Sequence, residues 1–205
     1  MKKIIICNIP MREHVAKTVY KSEDKSLPVS EKPYRYPINA FLEQTVGDED
    51  DLKVILLIKK DGNAFYEKNT EDYKQEVKEI CESRGTRAEF VSIDTEFSQN
   101  KENHEQLMGR LIDEIETGAH VLVDITYGPK DLPIVIFSAL NFAEKFLECE
   151  IDNIVYGQAS FEGDKIVGSI ICDMIPLYCL SSVTNTIKCD DPQKARQMLK
   201  SLLAI

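Results

Sequence analysis

Asp124-Ile125-Thr126-Tyr127-Gly128-Pro129-Lys130-Asp131-Leu132-Pro133 is the stretch on which the fold turns. A β-branched apolar run, 120–125, ends in Asp and Thr. It bends at a glycine and enters an apolar segment, 132–147, too long for a strand. A buried strand that feeds a helix through so short a turn is half of a βαβ unit. The same alternation recurs on either side. Strands are read at 4–9, 54–58 and 88–93, and helices at 38–46, 70–84 and 103–117. Tyr73, Val77, Ile80 and Cys81 share one face of the 70–84 helix, which Thr70 is expected to cap and Gly85 to close. Leu107, Leu111, Ile112 and Ile115 stripe the next, with Gly118 as its stop signal. Two further strands, 151–156 and 166–171, flank the turn Ser160-Phe161-Glu162-Gly163-Asp164 and read as an antiparallel hairpin. Lys59-Lys60-Asp61-Gly62 ends the second strand.

The fold class is α/β: a mostly parallel six-stranded sheet, helices on both faces, and an antiparallel hairpin at one edge. Residues 11–37 hold Pro28, Pro33 and Pro37 and read as a long loop, a feature often tied to function. Helices at 177–187 and 192–203 form a short C-terminal extension. That extension reads as a helical stub or the truncated start of a further module, and its end, Leu202-Leu203-Ala204-Ile205, is apolar.

The chain has 205 residues, 43% of them apolar, with 35 acids against 25 bases and a formal net charge of −10. That balance disfavours a protein that coats a long nucleic acid by bulk charge, which needs a basic face. No apolar run reaches the ~20 residues that span a bilayer, and Met1-Lys2-Lys3-Ile4-Ile5-Ile6-Cys7 is too short for a signal peptide. The six cysteines, Cys7, Cys81, Cys149, Cys172, Cys179 and Cys189, lack zinc spacing and read as reduced thiols in a cytoplasm. No glycine fingerprint follows the first strand and no Walker motif occurs, so no dinucleotide cofactor is expected; with no cysteine–histidine cluster at zinc spacing, no metal is expected either. His14, His104 and His120 are read as surface or packing residues. Glu76-Val77-Lys78 matches a nuclease E-x-K by letters, but its glutamate is read on the solvated face of a helix.

In such a sheet, ligands bind beyond the carboxyl ends of the strands where strand order reverses. That places the site in the turns after the 4–9 and 120–125 strands. Gly128 lets a ligand approach the backbone. The following helix start is expected to present unpaired N–H groups to an anion, with Lys130 as a cation and Thr126 and Tyr127 as hydroxyls. The other reading is a plain strand-to-helix turn with Asp131 as N-cap and Pro133 in the first turn. Both stay open on these residues.

Asp124, Thr126, Gly128 and Lys130, as D-x-[ST]-x-G-x-[KR] after a fourth strand, resemble the signature of CARF domains, the CRISPR-associated Rossmann folds. Leu132-Pro133, Ile154-Val155-Tyr156-Gly157, Lys2-Lys3-Ile4-Ile5-Ile6 and Tyr36-Pro37-Ile38-Asn39-Ala40 extend the resemblance over residues 1–175, leaving 176–205 as the extension. The resemblance implies a Rossmann-like domain that forms a homodimer and binds a cyclic oligoadenylate, cA4 or cA6, as the sensory part of a type III CRISPR antiviral effector. Carried over by position, Asn8, Ile9, Pro10 and Met11 form the first binding loop, with Arg12 reaching the ring. Thr126, Tyr127, Gly128, Pro129, Lys130 and Asp131 form the second. Ile9-Pro10-Met11 is bulkier than the small first loop of many members. Some relatives cut their own ligand without metal, a role that would fall to Lys130, Thr126 and Tyr127. The rival reading is a Rossmann-like enzyme acting on a small nucleotide, with Asp124 and Lys130 catalytic. A third is a purely structural interaction domain.

Overall fold

The computed structural model describes residues 1–22, 27–60, 64–96, 98, 100–163 and 165–203. The turn residues expected at Asp61, Gly62 and Asp164, and the chain end at Ala204 and Ile205, lie outside the described residues. The chain divides into two compact units, Met1–Asp173 and Met174–Ile205.

The first unit is α/β. Its elements run β1 (Lys2–Asn8), β2 (Lys21–Ser22), α1 (Pro37–Thr45), β3 (Asp51–Ile58), α2 (Phe65–Arg84), β4 (Arg87–Asp94), α3 (Lys101–Glu114), β5 (His120–Asp124), α4 (Leu132–Phe146), β6 (Glu150–Glu162) and β7 (Lys165–Asp173). The sheet has seven strands in the order β2-β7-β6-β5-β1-β3-β4. The six expected strands are all present. The seventh, β2, is two residues long and pairs parallel to β7. A strand that short leaves no period-two pattern to read, so it lies unannounced inside the 11–37 segment. β6 and β7 are antiparallel, and the other pairs are parallel.

Central strands are apolar throughout because both faces are covered. Ile5 and Cys7 of β1 join Tyr36, Ile38 and Leu42, and Tyr73 and Val77 of α2, in one core. Ile4 and Ile6, with Val121 and Val123, are buried on the alternate face. There α3 and α4 pack on each other, burying Leu111, Ile136 and Leu140. Lys3 is buried with Asp50 at 2.6 Å, so neither charge enters the interior alone.

Local signals read from sequence fare unevenly. Gly85 caps α2 at φ 72, as expected. Thr70 does not cap its start. The helix begins at Phe65 behind Ala64, and the Thr70 hydroxyl donates back to the Tyr66 carbonyl at 2.7 Å. Packing of Tyr66 on the core holds the extra turn. Asp131 stands at the N-cap position of α4 but adopts αR geometry and makes no capping bond. Glu76 is not solvated: it is 2% exposed.

In the second unit, α5 (Ile175–Thr186) and α6 (Pro192–Leu202) each start with proline in the first turn. Asp191 caps α6 by accepting from the Gln193 and Lys194 N–H groups. No helix among the described residues is long and apolar enough to cross a membrane. Cys7, Cys81 and Cys149 are buried, whereas Cys179 is exposed.

Candidate functional site at the sheet switch point

From β1 the chain builds outward through β3 and β4, then returns to place β5 and β6 on the other side. The switch therefore falls between β1 and β5, which pair directly from Lys3↔His120 to Cys7↔Asp124. Beyond their carboxyl ends the two loops expected from sequence meet. Gly128, at φ +108, lies against Asn8: a Cβ built there would stand 2.9 Å from Asn8 Nδ2 and 2.7 Å from Leu132. Glycine is required here for both reasons, backbone conformation and space. Asn8, Ile9, Pro10, Met11, Arg12, Lys59, Tyr127, Gly128 and Pro129 line one cavity of about 240 Å³.

A second cavity of about 310 Å³ lies on the β6 side, lined by Arg12, His14, Thr18, Tyr20, Thr126, Tyr127, Gly157 and Phe161 among others. Arg12 and Tyr127 line both. The Arg12 guanidinium donates to the Tyr127 hydroxyl at 3.2 Å and stands 5.2 Å from the ring centroid. The Tyr127 hydroxyl also faces the Arg35 carbonyl at 3.4 Å. Burial pushes the phenol up to about 12, so it stays protonated near neutral pH.

Asp124 is the strut beneath the second loop. It is buried. One carboxylate oxygen accepts from the Thr126 N–H at 2.8 Å and the other from the Ile38 N–H at 3.4 Å. Burial raises its carboxyl to about 6 against these bonds. Both oxygens face backbone rather than the crevice, which removes the geometry a catalytic Asp124 needs. Thr126 Oγ1 accepts from the Gly157 N–H at 2.7 Å. Gly157 has no room for a side chain, since a Cβ would stand 2.1 Å from Pro37 Cγ.

Lys130 is exposed, and no ion pair engages it among the described residues. Asp131 is occupied by His104, with Nε2 to Oδ2 at 2.5 Å. The helix start does not present its N–H groups as expected. The Leu132 N–H donates to the Pro129 carbonyl and the Ile134 N–H to the Asp131 carbonyl; Pro133 has none. The N–H donors lie one step earlier: those of Gly128, Lys130 and Asp131 have no protein partner among the described residues. An anion would be held by the loop, not by the helix end.

Sequence reasoning missed the residues that hold the first loop. Asn69 is 1% exposed and donates to the Pro10 and Arg12 carbonyls at 2.7 and 2.9 Å. Glu76 accepts from the Arg35 N–H at 3.1 Å and the Asn39 amide at 3.1 Å, and lies 3.8 Å from Lys17. It ties Lys17, Arg35 and Asn39 to α2. The signal was present: Asn69, Tyr73, Glu76, Val77 and Ile80 share the helical face that turns inward. Two polar residues in an apolar stripe point to buried partners. No protein-family model matches this chain, and no curated protein sequence matches it significantly.

Proposed function

We propose that this chain is a CARF-type sensor that binds a cyclic oligoadenylate, cA4 or cA6, across the two-fold axis of a homodimer, as the sensory part of a type III CRISPR effector. The observation that supports this reading best is the meeting of residues 8–12 and 126–131 at the β1/β5 switch point. Their shared crevice is lined by Arg12, and the second loop adds N–H groups without protein partners among the described residues, together with the exposed Lys130. Those are the donors a phosphodiester needs. The acidic surface is no obstacle, because a ring of few phosphates is held by local donors and not by total charge.

Slow cleavage of the ring is the second part of the reading. A ribose 2′-oxygen attacks the adjacent phosphorus in line, and the 5′-oxygen leaves, giving a 2′,3′-cyclic phosphate. Positioning supplies much of the acceleration, and Lys130 would stabilise the developing charge. Thr126, engaged by Gly157, and Tyr127, engaged by Arg12, would hold the loop geometry rather than move the proton.

Calorimetry with cyclic tetra- and hexa-adenylate tests the reading. One ring per two chains is the expected result. Failure to bind either ring would sink the sensor. A mononucleotide bound once per chain, with no ring bound, would favour the small-nucleotide enzyme.

A further inference from the structure

We propose that His120, Glu150 and Asp152 bind one divalent transition-metal ion of the zinc type, at the end of the sheet opposite the crevice. His120 opens β5 and Glu150 opens β6, and the register sets them side by side. The pairing then shifts between Val121 and Leu122, so that Val121 faces Ile151 and Leu122 faces Asn153. Asp152 is the extra residue. A bulge re-aims a side chain, and this one brings the Asp152 carboxylate onto the imidazole. Asp152 Oδ1 lies 2.7 Å from His120 Nδ1, and Glu150 Oε2 lies 3.9 Å from the same nitrogen. One donor atom from each residue falls within 4.8 Å of the others.

These separations bracket what an ion requires. Tetrahedral zinc with bonds of about 2.0–2.2 Å holds its ligand atoms roughly 3.3–3.6 Å apart. The 2.7 Å His120–Asp152 contact must open by roughly 0.6–0.9 Å, and Glu150, at 3.9 Å, must close in by roughly 0.3–0.6 Å. Glu150 has the freedom to do so, its side chain being 75% exposed, while His120 and Asp152 are each 26% exposed and set the frame. One imidazole and two carboxylates balance a dication and leave a fourth position for water. The nitrogen favours zinc-like ions over magnesium or calcium, which prefer all-oxygen sets. Four residues of strand separate His120 from Asp124, ~13 Å at 3.3 Å per residue. The ion would therefore join β5 to β6 without entering the crevice.

The test uses the full chain stripped with chelator and titrated with zinc and with cobalt, followed by calorimetry and visible absorption. One ion per chain is expected, with cobalt bands that lack sulfur-to-metal charge transfer. His120→Ala should weaken binding at least tenfold. Glu150→Gln, at an exposed position that leaves the fold intact, should weaken it several-fold. The melting midpoint should rise with zinc in the wild type and not in His120→Ala. Absence of binding would overturn the proposal. So would affinity unchanged in both variants, or a charge-transfer band that assigns the metal to the cysteines.

Discussion

Arg12 lies against Tyr127 across 115 residues of chain, its guanidinium bonded to the phenol oxygen at 3.2 Å and close to the ring face. Both residues line both cavities at the sheet switch point. The pair also places a cation in the cavity that Gly128 and Pro129 of the second loop line. Arg12→Ala would remove that charge from both cavities. The side chain is exposed, so the melting midpoint should hold within a few degrees. Affinity for a cyclic oligoadenylate, measured by calorimetry, should fall about tenfold or more, the scale of one charge-assisted contact.

Lys130→Ala should leave stability unchanged, because the side chain is exposed and unpaired among the described residues. Ring affinity should drop by about 1.5–3 kcal/mol, the range for a hydrogen bond to a charged group. The loss should shrink as salt is raised. Equal affinities for wild type and variant would remove residues 126–131 from the phosphate contacts.

Gly157→Ala places a methyl group 2.1 Å from the Pro37 ring. The ring is part of α1 and cannot turn aside. Overpacking of this kind costs about 1–3 kcal/mol. The Thr126 bond to the Gly157 N–H would be disturbed as well, so urea denaturation should show lost stability and ring titration should show weaker binding.

Asp124 gives a pH dependence whose sign follows from burial. Its carboxyl titrates near 6 in the folded chain and near 3.9 when unfolded. Below about pH 4 both states hold the proton and the group has no pH effect. Between about pH 4 and 6 the unfolded chain loses the proton first, and stability declines as pH rises. Above the folded value the loss is complete, roughly 3 kcal/mol at most. Denaturation of wild type against Asp124→Asn from pH 4 to 8 checks this. The wild type should lose ground to the variant across that window. A gap that stays constant would mean that Asp124 ionises normally.

Asn69→Leu keeps the volume and removes both bonds to the first loop. Two carbonyls lose their donor, for about 2–3 kcal/mol of destabilisation. Hydrogen exchange at residues 11–16 should quicken more than exchange in β1. Uniform acceleration would show that Asn69 supports the whole core instead.

The site was legible where chemistry follows the chain. Asn8 is the last residue of β1 and Gly128 lies in the turn after β5, and parallel pairing of the two strands alone brings these positions together. The donors were misjudged because Pro129 and Asp131 satisfy the first N–H groups of α4 with their own carbonyls. That is a matter of turn conformation, which residue types do not specify. Glu76 was misread because charge predicts exposure unless partners come from elsewhere. Here they come from Arg35 and Asn39, roughly forty positions earlier.

Element order, the alternation of strand and helix, and the two loops at the switch point follow from residue periodicity. Burial of one or both faces imposes that periodicity on every turn of chain. The pairing of Arg12 with Tyr127, of Asn69 with the first loop, of His104 with Asp131 and of His120 with Asp152 does not follow from it. Each joins positions 27 or more apart. Such contacts arise from strand register, a bulge and the docking of one helix on another. No local pattern encodes those, because the free energy that selects them comes from packing the whole sheet at once.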